Sequence, residues 1–208
     1  MASVYDLKPA FQRLLRPVVG ALARTGVTAN QVTVSAFLLS LAAGAAIAAS
    51  PSSRGMLGLL PAVLFLRMAL NAIDGMLARE HGQASRLGAV LNEVGDVVSD
   101  TALYLPLALV PGFAPVPVVL SVVFAIISEM TGLVAAQIGA ARRYDGPMGK
   151  SDRAFVFGLF ALLVGLGVPS GGWLTPALWM VVALLVVTIV NRARRALARR
   201  ASHPEQKV

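Results

Sequence analysis

Apolar residues along this chain gather into six runs, near 31–50, 56–77, 87–110, 114–140, 154–168 and 174–191, separated by short polar or Pro- and Gly-containing stretches. A helix needs about 20 predominantly apolar residues to cross a bilayer, so the pattern predicts six transmembrane helices. The fifth run reaches that length only by tilting or by starting a few residues earlier. Ahead of the first run, Val4, Leu7, Phe11, Leu14 and Leu15 share one helical side, with Asp6, Lys8, Arg13 and Arg16 elsewhere. That spacing predicts an N-terminal amphipathic helix lying in the membrane interface, its basic face drawn to anionic lipid. The expected architecture is all-α and integral to the membrane. One six-helix domain covers residues 1–200, its first 24 residues interfacial or juxtamembrane, and a polar, disordered tail covers 201–208. No internal repeat is visible, so an inverted-repeat transporter finds no support in the pattern.

Composition agrees: of 208 residues, 57% are hydrophobic and 13% charged, with a mean hydropathy of +0.75. A soluble domain carries roughly a quarter charged residues. With no cysteine, a disulfide framework and a thiolate metal site are both excluded. Residues 1–24 lack the compact apolar core of a cleavable signal peptide. The net charge of +8 does not point to nucleic acid, because the basic residues punctuate the ends of apolar runs rather than forming a soluble basic domain. Lys8, Arg13, Arg16 and Arg24 precede the first run; Arg79 and Arg86 lie between the second and third; Arg142, Arg143, Lys150 and Arg153 between the fourth and fifth; Arg192, Arg194, Arg195, Arg199 and Arg200 at the end of the sixth and beyond. The alternate loops hold only Arg54. The positive-inside rule then places both termini in the cytoplasm, and the expected location is a bacterial inner (plasma) membrane.

Against this background one polar constellation stands out. Asn71, Asp74, Gly75, Ala78 and Arg79 close the second run, and Gly88, Asn92, Asp96 and Asp100 open the third. Ionisable groups inside a span are costly and mark functional sites. At about 1.5 Å per residue, Asn71 and Asp74 lie roughly 12 and 7 Å before Arg79, and Asn92 and Asp96 roughly 9 and 15 Å beyond Arg86. Both sets therefore reach similar depth beneath the cytoplasmic interface. Two rows of oxygen donors suit a hard divalent cation such as Mg²⁺ or Mn²⁺. Asp100 repeats the four-residue step beyond Asp96 and is an alternative ligand in a shifted register. Gly75 opens the backbone either to a nucleotide or to a neighbouring helix; Gly88 and Gly95 read as packing residues.

These residues resemble the signature of the CDP-alcohol phosphotransferase (CDP-alcohol phosphatidyltransferase) family, Asp-x2-Asp-Gly-x2-Ala-Arg-x8-Gly-x3-Asp-x3-Asp. Every spacing is kept, with Asn71 and Asn92 in place of the first and third aspartates. Gly26–Thr33 ("GVTANQVT") is similar to the segment entering the family's first span. The resemblance implies a homodimeric enzyme of phospholipid biosynthesis that moves a phosphatidyl group from a CDP-linked lipid, such as CDP-diacylglycerol, to an alcohol and releases CMP. It implies metal binding at Asn71, Asp74, Asn92 and Asp96, and nucleotide binding at Asp74, Gly75, Ala78 and Arg79. Asp96 would be the catalytic base. The two asparagines remove two negative charges, which weakens a divalent site and leaves one ion or two open.

The loop Gly146-Pro147-Met148-Gly149-Lys150-Ser151-Asp152-Arg153 resembles the one before the family's fifth span. Arg142, Lys150 and Arg153 are expected to bind phosphate on the acceptor or donor, the alternative being a topology anchor. Glu129 either lines a polar cavity or ties helices together. His81 reads as a surface residue, Trp173 and Trp179 as an interfacial belt, and Arg192–Arg200 as an orientation signal. Two other functions compete with the enzyme: a catalytically impaired relative that binds nucleotide or lipid, and an ion-coupled transporter.

Overall fold

The structure, a computed structural model, describes residues 4–198, with side chains from Pro9 onward. The tail 201–208, Arg199 and Arg200, and the side chains of Val4, Asp6, Leu7 and Lys8 lie outside the described residues. Among the described residues seven α-helices follow in order: α1 (Val4–Arg24), α2 (Ala29–Ala49), α3 (Arg54–Glu80), α4 (Arg86–Tyr104), α5 (Pro115–Gln137), α6 (Lys150–Gly165) and α7 (Leu174–Ala198). A 3₁₀ turn, Leu105–Leu109, follows α4, and there is no strand among the described residues.

The six apolar runs fall on α2 to α7, with boundaries moved for identifiable reasons. The third run does not continue as one helix to 110. Pro106 cannot donate to the α-ladder, and the chain tightens into the 3₁₀ turn at Leu105. α5 stops at Gln137, where Ala140 N–H reaches Ala135 O (3.0 Å) and Gly139 N–H reaches Ala136 O (3.1 Å); Gly139 takes the left-handed φ of +83° that this cap needs. The fifth run gains its missing length at the front, because α6 begins at Lys150. There the Asp152 carboxylate accepts the Gly149 N–H at 2.9 Å. Four helices, α2, α3, α5 and α7, are long and apolar enough to cross a membrane, which makes this an integral membrane protein. α4 has 19 residues and carries Glu93, Asp96 and Asp100; α6 has 16.

The chain divides into two compact units, Met1–Ala43 with Ala62–Leu103, and Gly44–Pro61 with Tyr104–Val208. In the first, Val19, Ala29, Val32, Ile73, Met76 and Leu77 form a buried cluster that packs α1 on α2 and α3. The α1–α2 corner is set by local chemistry. Val27 N–H bonds Leu22 O at 3.0 Å and Gly26 N–H bonds Ala23 O at 3.2 Å, a Schellman cap with Gly26 at φ +79°. Thr28 and Gln31 then form a capping box, Gln31 N–H to Thr28 Oγ1 at 3.2 Å and Thr28 N–H to Gln31 Oε1 at 2.9 Å. Gln83, in the α3–α4 loop, accepts the Ala29 N–H at 2.7 Å. In the second unit, α5 packs along α7, and Tyr104 stacks on Phe157 with ring centroids 4.6 Å apart.

Candidate active site

The α1–α2 corner sets the start of α2, and so the position of Thr33 one turn in. The Thr33 hydroxyl donates to Asp74 Oδ2 at 2.7 Å, and the carboxylate is only 5% exposed. Three residues back on α3, on the same face, Asn71 Nδ2 donates to Asp96 Oδ1 of α4 at 3.0 Å. This contact joins the two halves of the constellation. Asn92 is half-buried one turn before Asp96. Arg67, one turn before Asn71, completes the group: Nη1 lies 2.6 Å from Asp100 Oδ1, and Nη2 lies 3.1 Å from Asp96 O and 3.4 Å from Asp96 Oδ1. Asp100 is thus engaged by an arginine, while Asn71 addresses Asp96.

The glycines divide by environment. A Cβ on Gly75 would stand 3.1 Å from Arg79 Nη2, so the exposed Arg79 folds back over the bare backbone at Gly75. Ala78 packs at the edge of the Met76–Leu77 cluster. A Cβ on Gly88 would stand 2.7 Å from Asn30 Oδ1, which bears out its packing role. Gly95 is corrected: nothing lies within 4 Å of where its Cβ would stand, so it packs closely against no other part of the described residues.

The second unit holds a charged cluster of its own residues. Glu129 of α5 is ion-paired with Arg153 of α6 (3.1 Å), Arg192 of α7 (3.4 Å) and Arg142 of the α5–α6 loop (3.9 Å). Arg153 and Arg192 are each 1% exposed. Arg192 also donates to Ser128 O at 2.6 Å and Asp145 O at 3.2 Å. Three arginines therefore converge on one glutamate, two of them almost fully buried. Lys150 lies one turn before Arg153, at the start of α6. Glu129 is therefore the shared counter-ion of three arginines, and Arg192 is part of a buried network rather than an orientation signal alone. The loop is laid down by close backbone approach: a Cβ on Gly132 would stand 2.7 Å from Arg143 O, and Met148 N–H donates to Thr188 Oγ1 at 3.0 Å. Burial raises the Asp145 carboxyl, but hydrogen bonds from Arg143 (2.6 Å) and Arg195 (2.5 Å) outweigh it, and the net shift is below its ordinary value of 3.8. His81 is exposed, as expected. Trp173 donates to Pro169 O at 2.7 Å, and Trp179 is 46% exposed.

Carboxylate and amide oxygens on α3 and α4 are hard donors, the kind a Mg²⁺ or Mn²⁺ ion takes. Among the described residues no three His, Cys, Asp or Glu side chains gather closely enough to hold an ion by themselves. Amide oxygens of Asn71 and Asn92 would have to complete the coordination. Such a donor set fits one divalent ion.

The sequence profile of the CDP-alcohol phosphatidyltransferase family matches residues 26–190. This chain belongs to that family. It is accordingly a transferase that moves a phosphatidyl group from a CDP-linked lipid to an alcohol in phospholipid synthesis, and the ion-coupled transporter is set aside. The chain is 47% identical to the inner membrane protein YnbA of Escherichia coli K12 over 198 residues, covering 94% of this chain and 96% of that protein. It is 32% identical to the phosphatidylinositol phosphate synthase of Corynebacterium glutamicum over 200 residues, covering 92% and 87%. Its fold is that of the Mycobacterium tuberculosis phosphatidylinositol phosphate synthase PgsA1 with CDP-DAG bound: TM-score 0.76, 22% identity, 94% of this chain and all of that one. The same enzyme in complex with manganese and citrate gives a TM-score of 0.71 at 24% identity, covering 87% and 88%.

Sequence reasoning missed Arg67 and gave Thr33 no role at the site. Arg67 had a readable signal, a lone cation inside an apolar run four residues before Asn71. Thr33 had none, since its partner Asp74 lies 41 residues away.

Proposed function

We propose that the transferase centre lies on α3 and α4 in the unshifted register, and that the acceptor is an alcohol bearing a phosphate. The Asn71–Asp96 bond at 3.0 Å carries the reading, since it unites the two halves of the motif, whereas Asp100 is taken up by Arg67 at 2.6 Å. Asn71, Asp74, Asn92 and Asp96 would hold Mg²⁺ or Mn²⁺, in keeping with the manganese complex of the PgsA1 structure. Held there, such an ion would supply charge neutralisation to the donor's pyrophosphate and to the CMP leaving group. Gly75 and Ala78 line the cytidine pocket with Arg79 beside the nucleotide, and Thr33 orients Asp74. The acceptor oxygen attacks the phosphatidyl phosphorus, the bond to CMP breaks, and the hydroxyl proton passes to Asp96.

The convergence of Arg142, Arg153 and Arg192 on Glu129 supports the second half of the proposal. Arg142, Lys150, Arg153 and Arg192 offer a phosphate group charge-assisted donors, as suits relatives named for a phosphorylated product. α2 to α7 cross the membrane, α1 lies in the interface, both termini and the site are cytoplasmic, and two chains form a homodimer. The four strongly apolar helices and the basic loops support that topology.

Purified protein incubated with CDP-diacylglycerol, Mn²⁺ and alcohols with and without a phosphate tests the reading. CMP release that requires metal and a phosphorylated acceptor, and that Asp96→Asn abolishes, is expected. CDP-lipid binding without turnover would leave the impaired relative; loss of activity in Asp100→Asn with Asp96→Asn active would refute the register.

A further inference from the structure

Arg54 is the one cation of the stretches that alternate with the basic loops, and the transferase chemistry makes no use of it. It opens α3, where the positive end of the helix dipole disfavours a cation, on the side of the membrane where the positive-inside rule disfavours one too. No Asp or Glu occurs in residues 50–53, 105–114 or 166–173 to offset it. Beside Arg54 is a cavity of about 400 Å³, at the low end of the range for small-molecule sites, about 300–1,000 Å³. Ser52, Arg54 and Leu57 line it from the α2–α3 loop and the first turn of α3, Val110 from the end of the 3₁₀ turn, and Val168 and Ser170 from the α6–α7 loop.

The buried Leu57 and Val110 make the inner wall apolar, and Arg54, itself exposed, is the charged residue among the described lining. Close backbone approach shapes the rest. A Cβ on Gly167, which has φ +88°, would stand 3.2 Å from Arg54 Nη1, so the guanidinium lies against bare backbone of the α6–α7 loop. A Cβ on Gly165 would stand 2.7 Å from Gly58 N, which brings α6 and α3 together beside it. Each of the three lining segments contributes a proline, Pro51, Pro111 and Pro169, whose fixed φ leaves less freedom to lose on binding. We propose that this cavity is a lipid site, in which Arg54 holds the phosphate of an anionic phospholipid from the outer leaflet. A guanidinium gives a phosphate paired, charge-assisted donors, and the hydroxyls of Ser52 and Ser170 add neutral ones. The apolar inner wall favours a phosphate that carries hydrocarbon over a bare one. The site draws on the topology proposed above and on none of the motif residues, so the transferase reading stands without it.

Trp173 reports on the cavity, because its indole N–H bonds to Pro169 O at 2.7 Å, and Trp179→Phe leaves it the one tryptophan of the chain. The full chain with that substitution is placed in phosphatidylcholine nanodiscs. Quenching of Trp173 is then compared between a small fraction of brominated phosphatidylglycerol and the same fraction of brominated phosphatidylcholine. Phosphatidylglycerol is expected to quench as though bound about fivefold more tightly, the gain that one basic residue gives an anionic lipid. Arg54→Lys should keep most of that preference and Arg54→Gln should remove it. Val168→Phe, which fills the cavity and leaves Arg54 in place, should remove it as well. Equal quenching by the two lipids, or a preference that survives Arg54→Gln or Val168→Phe, would overturn the proposal. Inorganic phosphate separates the two sources of the same chemistry: the preference should persist in its presence, and its loss would overturn the lipid as occupant in favour of a phosphate-bearing solute.

Discussion

Removing Glu129 should be among the most damaging single changes in the second unit. Its carboxylate is 14% exposed and faces Arg153 and Arg192, whose side chains are 1% and 2% exposed, at 3.1 and 3.4 Å. Each pair is worth about 5 kcal/mol of Coulomb attraction at an effective dielectric of 20, most of it offsetting the cost of desolvating the ions. Glu129→Ala keeps that cost for both arginines and loses the attraction, and breaking a buried pair this way costs about 3–5 kcal/mol. At about 2–4 °C per kcal/mol for a chain of this size, the apparent melting temperature falls by about 6–20 °C. Glu129→Gln, whose amide oxygen still accepts from Arg153, should fall between the two. The assay is thermal unfolding in detergent followed by the fluorescence of Trp173 and Trp179, with size exclusion confirming the starting state. Inorganic phosphate should stabilise Glu129→Gln more than the parent, because the substitution removes one negative charge beside three arginines. Melting of Glu129→Ala within about 2 °C of the parent would refute the argument, since the arginines would then not depend on this carboxylate.

Three other outcomes follow from the geometry. Gly88→Ala places a methyl 2.7 Å from Asn30 Oδ1, the end of a side chain that must turn aside, and should cost up to about 1 kcal/mol. Gly95→Ala meets nothing within 4 Å and should be neutral or stabilising by up to about 1 kcal/mol; thermal unfolding of the pair reads the contrast. Asp145 sits below its ordinary value of 3.8, so its contribution is fully present above that pH and is lost as pH falls through the lower folded-state value. Proteolysis of the 142–149 loop should therefore increase on strong acidification, and Asp145→Asn should cleave readily at neutral pH; a loop equally resistant throughout would contradict the ion pairs with Arg143 and Arg195. Asn71→Asp with Asn92→Asp adds two negative charges and should tighten Mn²⁺ by about tenfold or more, measured by Mn²⁺ titration of the purified protein followed by electron paramagnetic resonance; unchanged affinity would remove both positions from the metal set.

Local chemistry made much of this protein readable in one dimension. Six apolar runs fell on α2 to α7 because a predominantly apolar segment has few polar side chains to satisfy its backbone groups, and a helix pairs them within itself. The motif spacing placed Asn71 and Asp74 on one face of α3, and Asn92 and Asp96 on one face of α4, through the 3.6-residue period alone. Helix ends were less legible, since Pro106, Gly139 and the Asp152 cap act over single turns that hydropathy averages away. Tertiary structure alone decided the partners. Which carboxylate meets Asn71, which meets Arg67, and that Thr33 reaches across 41 residues to Asp74 depend on how α2, α3 and α4 are rotated against one another. The same holds for Glu129, whose three arginines come from a loop and two different helices. Periodicity says which side chains share a face; only packing says what that face meets.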